Sequence, residues 1–425
     1  MISDSLEIYR SLSENTLISQ RLEEFICQYC EQDPTKLRLK MLGKDIAPQD
    51  RAFIEFAILQ LEARKKYSSK FLDLSKIIFP SKLAAEQASN TLVSRFHSQL
   101  IGGASSLLDM TAGLGIDFLT MSKAIGKEGK DCVAVELDPV KAECLRYNLS
   151  VAGIPQAEVI CGDSLEILKK YKLEGRRFDL IYVDPARRDE DGSRLYDPAA
   201  CLPDIVSNRN LLFDVADRVL VKNSPMVDVA KALEIFPDTE ALYLVAVKNE
   251  CKELLIDMRK DAKLEKLVTV DILSNGEHQI VELSPAELGR SYNGPIMEED
   301  LLKEWIEKGM VWMYEPSSTQ MKLKTWNYLA EKFNVVKGSP NSHIFFSREC
   351  IEDFPGRIMI VERILDKKSV KELKGQPRNV VTRNYPLKAV PLAKKLRINS
   401  SNDRFIYGLT ISSLEYPLLL DTRLD

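Results

Sequence analysis

The stretch SLLDMTAGLGID, residues 106–117, decides the fold class. A short apolar run ends in an acid, a glycine-rich turn follows, and the next residues have the apolar spacing of an α-helix. The alternation continues downstream, with further apolar runs CVAVEL, AEVICGD, FDLIYVD, RVLVKNS and ALYLVAV separated by helix patterns. Strands separated by helices of this length pair in parallel through right-handed crossovers. The sequence therefore predicts a doubly wound α/β sheet.

The sequence on either side of this pattern has a different character. Only a few turn residues separate ALYLVAV from the apolar run in KNECKELLIDM, so these two strands are expected to form an antiparallel hairpin at one edge. Residues before about 80 have mostly helical spacing, and residues after about 265 mix strand and helix patterns. We therefore expect three domains: a mostly helical one over 1–80, the sheet domain over 81–265, and an α+β domain over 266–425.

Composition places the chain among ordinary globular proteins, with 45% hydrophobic and 29% charged residues in a length of 425. The first residues, MISDSLEIYR, lack the pattern of a secretory signal, and no apolar run approaches the roughly 18 residues of a membrane span. Eight cysteines are scattered, and the single CxxC pair, Cys27 and Cys30, has no second pair or nearby histidines to complete a metal site. We expect a cytoplasmic protein with no membrane and no metal partner.

Charge is uneven along the chain. The net charge of −4 gives no general argument for binding nucleic acid. Between residues 366 and 404, however, three acids stand against eleven basic residues: Lys367, Lys368, Lys371, Lys374, Arg378, Arg383, Lys388, Lys394, Lys395, Arg397 and Arg404. This segment is either a solvated face or a surface that contacts phosphates, and the sequence leaves both open.

The first strand of the predicted sheet ends at Asp109 and leads into a glycine-rich turn. Gly113 and Gly115 permit a tight turn and leave room for a ligand against the backbone. A dinucleotide-binding turn would have a third glycine where this chain has Phe118, and a phosphate would lie poorly beside Asp109 and Asp117. These residues favour a cationic or amine-bearing ligand.

Two further acids follow the next two strands. Glu136 is placed where a carboxylate can accept both hydroxyls of a ribose, and Asp163 could accept from an adenine amino group. Each of these acids alone could equally be a helix N-cap or a loop residue. Three acids at successive strand ends, beside a glycine turn, together indicate a pocket for an adenosyl group that carries an amino acid.

The set resembles the class I S-adenosylmethionine-dependent methyltransferases over about residues 106–260. The matching elements are D-x-x-A-G-x-G at 109–115, the two later acids, and Asp-Pro at 184–185. The resemblance implies a Rossmann-like sheet and S-adenosylmethionine as cofactor. It also implies that the residues binding the cofactor are Asp109, Thr111, Ala112, Gly113, Gly115, Glu136 and Asp163, with the first five near the methionine part.

The fourth strand ends in DPARR, residues 184–188. In methyltransferases that act on nitrogens of bases, this strand commonly ends in a polar residue followed by Pro-Pro and an aromatic residue. Asp184 and Pro185 match the first half of that motif, whereas Ala186 and Arg187 depart from it. The resemblance implies that Asp184 orients the nucleophile, with Pro185 and Arg187 as further catalytic candidates, and the departure leaves the target atom open.

Arg187, Arg188 and Lys222 are the candidates for contact with the substrate. Either arginine could stack on a base or pair with a phosphate, and either could be a loop residue paired with the acids at 189–191. Lys222 also has two possible roles. It lies at the end of the fifth strand, where it could orient a substrate or cap the next turn.

A closer resemblance extends over most of the chain. The elements DMTAGLGID, VDPARR, NECKELL, MYEPSS, SHIFF and FPGR are similar to a bacterial family with a methyltransferase domain and a C-terminal THUMP-like domain, related to the RNA cap guanine-N2 methyltransferases. The family implies a ferredoxin-like N-terminal domain and RNA as the substrate class. We therefore expect methylation of a nitrogen of an RNA base. The alternatives are a noncatalytic RNA-binding protein on this scaffold, or a methyltransferase for proteins or small molecules.

Overall fold

A computed structural model describes residues 2–14, 16–42, 46–72, 75–126, 132–187, 201–399, 403–413 and 416–424. The chain divides into two compact units. The first is Met1–Tyr243 with Glu253–Leu264, and the second is Leu244–Lys252 with Glu265–Asp425. The helices before the sheet therefore belong to the same unit as the sheet. The three-domain division at residues 80 and 265 remains a prediction.

The helices are α1 (Ile2–Glu14), α2 (Thr16–Tyr29), α3 (Pro34–Met41), α4 (Pro48–Lys66), α5 (Lys82–Gln87), α6 (Thr91–Gln99), α7 (Ile116–Ile125), α8 (Pro139–Val151), α9 (Ser164–Glu174), α10 (Arg209–Val215), α11 (Val229–Ile235), α12 (Glu299–Lys308), α13 (Ser318–Leu323), α14 (Trp326–Lys332), α15 (Lys367–Glu372) and α16 (Ala389–Leu396). The strands of the first part of the chain are β1 (Leu107–Asp109), β2 (Cys132–Glu136), β3 (Glu158–Cys161), β4 (Phe178–Val183), β5 (Ala186–Arg187), β6 (Cys201–Leu202), β7 (Ala216–Asn223), β8 (Thr239–Val247) and β9 (Glu250–Arg259). Those that follow are β10 (Lys266–Ile272), β11 (His278–Leu283), β12 (Val311–Pro316), β13 (Val336–Lys337), β14 (Phe345–Ser347), β15 (Gly356–Ile364), β16 (Asn379–Arg383), β17 (Arg404–Ile411) and β18 (Tyr416–Leu424).

Seven neighbouring strands of a nine-stranded sheet have the order β3-β2-β1-β4-β7-β9-β8, and β10 and β11 follow β8. The first five strands pair in parallel, and β9 returns antiparallel to β7. Every residue of β1 and β2 is buried, as expected for parallel strands covered on both faces. Lys248 and Asn249 form the turn between β8 and β9, and both have positive φ, as a two-residue hairpin turn requires. The predicted Rossmann-like sheet with an antiparallel hairpin is confirmed.

The residues before β1 form helices α1 to α6, and the described part of this segment contains no strand. The ferredoxin-like expectation for residues 1–80 was therefore wrong, because that fold needs a sheet of its own. The apolar positions here recur at helical spacing. Leu22, Phe56 and Leu61 are buried, and they share one core with Leu114 and Cys144 of the sheet domain.

Side-chain hydrogen bonds join these N-terminal helices to α8. Gln60 on α4 donates to the Phe79 carbonyl at 2.9 Å and accepts from the Phe79 N–H at 2.8 Å. Asn148 on α8 accepts from the Ile78 N–H at 2.9 Å. Side chains of α4 and α8 thus supply hydrogen-bond partners for the buried backbone groups of the loop at 77–79. This loop leads directly into α5.

The second unit is α+β, as expected. Its main sheet has the order β13-β14-β12-β15-β18-β17-β16, and only β16 and β17 pair in parallel. Two of the distinctive sequence elements meet here. Glu315, buried in MYEPSS, accepts from Arg357 of FPGR at 3.2 Å and from Tyr407 at 2.8 Å. A Cβ atom on Gly356 would overlap the Glu315 carbonyl oxygen, so strand pairing requires glycine there. The structure therefore explains why Glu315 and Gly356 occupy these positions.

Two global features concern membranes and metals. Among the helices described, none combines the length and the apolar character that crossing a membrane would need. Within the described ranges, no group of three or more His, Cys, Asp or Glu side chains is arranged to hold a metal ion. Cys27 and Cys30 both lie exposed, on α2 and just after its end.

Candidate cofactor and active site

A cavity of about 440 Å³ lies at the carboxyl ends of β1, β2, β3 and β4. Cavities of this size hold cofactors and drug-sized ligands in many proteins. All seven residues predicted to bind the cofactor line it, namely Asp109, Thr111, Ala112, Gly113, Gly115, Glu136 and Asp163. Asp184 lines the same cavity. Tertiary structure therefore brings together acids that are up to 75 positions apart along the chain.

The glycine turn between β1 and α7 owes its shape to two positions. Gly115 has φ +84°, and a Cβ atom there would overlap Cδ1 of Leu145 on α8. Gly113 has φ +56°, and its N–H donates to Oε2 of Glu136 at 2.8 Å. Positive φ favours glycine at both positions. The turn is thus tied to α8 by packing and to β2 by a hydrogen bond.

Asp109 is the most enclosed acid of the cavity. Its side chain is buried, and Oδ1 accepts from the Thr111 N–H at 2.9 Å. Burial raises the pKa of Asp109 well above its usual value; the Thr111 hydrogen bond opposes this, and the charges of Asp117, Asp184 and Glu136 add to it. A cation in the cavity would relieve this crowding of negative charge.

Glu136 and Asp163 both have structural hydrogen bonds as well as free capacity. Glu136 accepts from the Asp138 N–H at 2.9 Å through Oε1, in addition to the Gly113 bond through Oε2. An ionised carboxylate has about four acceptor sites, so about two remain. Asp163 is the N-cap of α9 and accepts from Leu165 N–H at 2.8 Å. The capping alternative is therefore correct for Asp163, but the cap uses only its Oδ1 atom.

Asp184 and Lys222 form an ion pair at the cavity. Lys222 Nζ lies 2.7 Å from Asp184 Oδ2 and donates to Ser89 Oγ at 2.9 Å. The Asp184 N–H donates to Thr111 Oγ1 at 2.7 Å, which ties the end of β4 to the glycine turn. Burial raises the pKa of Asp184, and Lys222 opposes that rise. The Asp184 side chain is 42% accessible and that of Lys222 only 13%.

The remaining residues predicted for the site follow Asp184 along the chain, and none of them is described as lining the cavity. Pro185 is buried and does not line the cavity. The backbone of Ala186–Arg187 pairs with Cys201–Leu202, and this brings Leu202 and Pro203 to the cavity as an apolar wall. The side chain of Arg187 and the whole of Arg188 fall outside the described residues.

Several cavity residues escaped the sequence analysis. Ser89 lies in a break between α5 and α6 and lines the cavity. Asn90 caps α6 by accepting from the Leu92 N–H at 2.9 Å, which starts a new helix there. An Asn followed by apolar periodicity is an N-cap signal, so this break could have been found. No sequence pattern pointed to Leu202 and Pro203, because only the pairing of β6 with β5 places them at the cavity.

One solved structure resembles the chain over nearly its whole length. It is a candidate methyltransferase from Porphyromonas gingivalis W83, with a TM-score of 0.79 and 25% identity, covering 96% of this chain and 98% of that one. A family model described as a ferredoxin-like domain matches residues 312–355, which contain β13, β14 and all of β12 except its first residue, in the second unit. That location differs from the N-terminal one expected from sequence.

Curated relatives match a smaller part. A Clostridium tetani protein named as an uncharacterized RNA methyltransferase is 24% identical over 141 residues, 32% of this chain and 29% of the relative. A Staphylococcus aureus (strain N315) protein with a similar name is 23% identical over 155 residues, 36% of this chain and 33% of the relative. The matches thus span about a third of the length of these relatives.

Proposed function

We propose that this chain is an S-adenosylmethionine-dependent methyltransferase that methylates a nitrogen of an RNA base. The observation that carries the proposal is the convergence of four acids on one cavity: Asp109, Glu136, Asp163 and Asp184, each at or just after the end of a strand. The whole-length similarity to the Porphyromonas gingivalis structure supports the reaction class.

The donor set of the cavity fits this cofactor. S-adenosylmethionine, when bound, supplies a methyl group on a positively charged sulfur atom. Asp109 and the turn at Gly113–Gly115 would hold the amino-acid part, because a cation lowers the cost of ionising Asp109. Glu136 would accept the ribose hydroxyls with the capacity left beside its two backbone bonds. Asp163 would accept from the adenine amino group through its second oxygen.

Asp184 would orient the target nitrogen. Lys222 engages Oδ2, which leaves the acceptor sites of Oδ1 for an N–H group of the substrate. A carboxylate that accepts this hydrogen bond directs the lone pair of the nitrogen away from itself and towards the cofactor. The wall formed by Leu202 and Pro203 would exclude water from the reacting atoms. The roles predicted for Arg187 and Arg188 remain part of this proposal, whereas Pro185 is buried away from the cavity lining and is not part of it.

RNA as the substrate class has two supports. The curated relatives carry RNA methyltransferase names. The second unit also has a basic surface: among the eleven basic residues of 366–404, eight are exposed with no ion-pair partner among the described residues, namely Lys367, Lys368, Lys371, Lys374, Lys388, Lys394, Lys395 and Arg397. The Gly375 N–H donates to the Arg397 carbonyl at 2.9 Å, which places the ends of α15 and α16 side by side. Clustered unpaired cations favour phosphate contacts. A THUMP-like identity for this unit remains part of the proposal.

Transfer of labelled methyl tests the reaction. The purified chain is incubated with methyl-labelled S-adenosylmethionine and separate pools of RNA, DNA and protein. We expect label in RNA, and loss of transfer in Asp184→Ala while calorimetry finds cofactor affinity within about threefold of wild type, because Asp184 contacts the substrate side. Label in protein alone would contradict the RNA assignment. Cofactor or RNA binding without transfer to any pool would support the noncatalytic alternative.

Salt dependence tests the basic surface. Replacing Lys394 and Lys395 with glutamine should reduce the slope of log affinity against log salt by about 0.7 for each lysine that contacts a phosphate of single-stranded RNA. The matched control replaces Lys303 and Lys308 of α12, which pair with glutamates of their own helix. An equal slope for wild type and the Lys394/Lys395 variant would remove this surface from the proposal.

A further inference from the structure

A buried line of charges connects the NECKELL element to the active-site acid. Glu253, in β9, contacts Nε2 of His97 through Oε1. Nδ1 of His97, on α6, lies 2.9 Å from Oδ1 of Asp117. His97 is fully buried and Glu253 nearly so. Neither residue lines the cavity, and the proposed reaction has so far assigned them no part.

The contacts of the ring favour a doubly protonated His97. Both ring nitrogens of His97 face carboxylate oxygens, and an ionised carboxylate can only accept hydrogen bonds. Both contacts are satisfied together when the ring carries two protons. Consistently, although burial opposes its charge, Glu253 and Asp117 raise the pKa of His97 to about 10. Burial would raise the pKa of Asp117, but His97 and Lys222 hold it well below its usual value.

Asp117 links this pair to the cavity. Its Oδ2 atom accepts from the hydroxyl of Tyr182 at 3.0 Å and from that of Ser89. The same oxygen lies 3.7 Å from Lys222 Nζ, which is closer, at 2.7 Å, to Asp184. Lys222 is therefore held between two carboxylates and also bonds Ser89. Its position depends on how much negative charge Asp117 presents.

We propose that His97 is a positioning residue: by holding Glu253 and Asp117 with its two ring N–H groups, it keeps Lys222 at Asp184 and so keeps Asp184 ionised at the cavity. The arrangement sets two cations, His97 and Lys222, among three carboxylates, so the loss of either cation leaves a larger excess of negative charge. If His97 loses its charge, Lys222 is drawn towards Asp117, and Asp184 loses its counter-charge. A protonated Asp184 has less capacity to accept from the target nitrogen.

The surroundings of His97 contain few other ionisable groups. Asp117 from α7 and Glu253 from β9 contact the ring directly, and the Tyr182 ring of β4 lies 5.7 Å away between centroids. Phe96, its neighbour on α6, is apolar. Lys222 of β7, Asp184 after β4 and the buried Asp109 of β1 are further ionisable groups that face this cluster, and Asp109 interacts with Asp117 and Asp184. A change in charge at His97 therefore acts mainly through Asp117.

Nitrogen NMR tests the protonation without any measurement of activity. The chain has three histidines, so ¹⁵N-histidine labelling gives a spectrum with three rings. At pH 8 we expect His97 to have both nitrogens protonated. Burial lowers the pKa of His278 and brings that of His343 to about 4, so both should be neutral. A neutral His97 ring at pH 8 would overturn the proposal.

A charge-balance experiment tests the effect on Asp184, and this part rests on the proposed function. His97→Gln should move the acid limb of the kcat profile to higher pH, with a loss of about tenfold at pH 6.5 and a smaller loss at pH 8.5. The double variant His97→Gln/Glu253→Gln removes one charge of each sign and should recover most of the activity at pH 6.5. His278→Gln, in the second unit, is the matched control.

The outcomes separate the two proposals. If both variants lose activity by the same factor at every pH, or if the double variant loses the product of the single losses, His97 has only a structural role and the inference fails. Thermal melting and cofactor calorimetry on each variant distinguish a loss of activity caused by unfolding from one caused by the change in charge. If wild type transfers methyl to no acceptor, the proposed function fails, and the NMR result alone then decides whether His97 is a fixed imidazolium.

Discussion

Replacing Gly115 with alanine should destabilise the first unit and weaken its cofactor site. At φ +84° an L-residue pays about 1–2 kcal/mol for the left-handed backbone. The added methyl group would also overlap Cδ1 of Leu145, a fully buried side chain of α8. Overpacking of a core typically costs about 1–3 kcal/mol. The expected loss in the free energy of unfolding is therefore about 2–5 kcal/mol.

The same change should reach the cavity. The Gly115 N–H donates to the Ala112 carbonyl at 2.7 Å, so displacement of Gly115 away from Leu145 moves the turn that joins Asp109 to α7. The Gly113 bond to Glu136 would be strained by this movement. Calorimetry with S-adenosylmethionine should therefore show weaker binding by about tenfold, the equivalent of one hydrogen bond.

Gly153→Ala is the matched control for this variant. Gly153 has φ +77°, but nothing lies within 4 Å of its added Cβ atom, and it does not line the cavity. Only the backbone cost of about 1–2 kcal/mol should apply, with no change in cofactor affinity. Urea unfolding followed by circular dichroism compares the two. Equal midpoints and equal affinities for both variants would refute the argument from Leu145.

Three further predictions concern buried charges and the cofactor. Arg218 donates to Asp257 at 2.7 and 2.6 Å in a buried pair, so Arg218→Met leaves a buried carboxylate unpaired and should cost about 3–5 kcal/mol in urea unfolding. A loss below about 1 kcal/mol would contradict this. Glu136→Gln should weaken cofactor binding about tenfold, because a charged acceptor becomes neutral, and unchanged affinity in calorimetry would remove the ribose role. Because the pKa of His97 is raised from 6.5 to about 10, its stabilisation is fully present below pH 6.5 and lost as pH rises through about 10. Wild type should therefore lose stability more steeply than His97→Gln over that window, and parallel curves would count against an imidazolium.

Local sequence was a good guide wherever one short segment carries the whole signal. Asp109 and Gly115 belong to one strand and the turn that follows it, and the short apolar run before the glycine turn fits a buried strand. The end of a parallel strand faces the ligand side of the sheet, so the acids after β1, β2 and β3 could be assigned to one cavity. The N-terminal segment shows the limit of analogy. Its helical spacing was visible, yet family resemblance suggested a ferredoxin-like domain that the helices exclude.

The sequence by itself determined the strands, their order of appearance and the acids that end them, because these depend on periodicity and on neighbours within a few positions. Tertiary structure alone decided which ionisable side chains, distant along the chain, interact with one another. His97 and Glu253 are 156 positions apart, and only the antiparallel return of β9 places that carboxylate against the ring. The partner of Lys222 likewise comes from a distant segment, because Asp184 follows β4. Electrostatic coupling depends on distance in space and on burial, and neither quantity is written in the local pattern of residues.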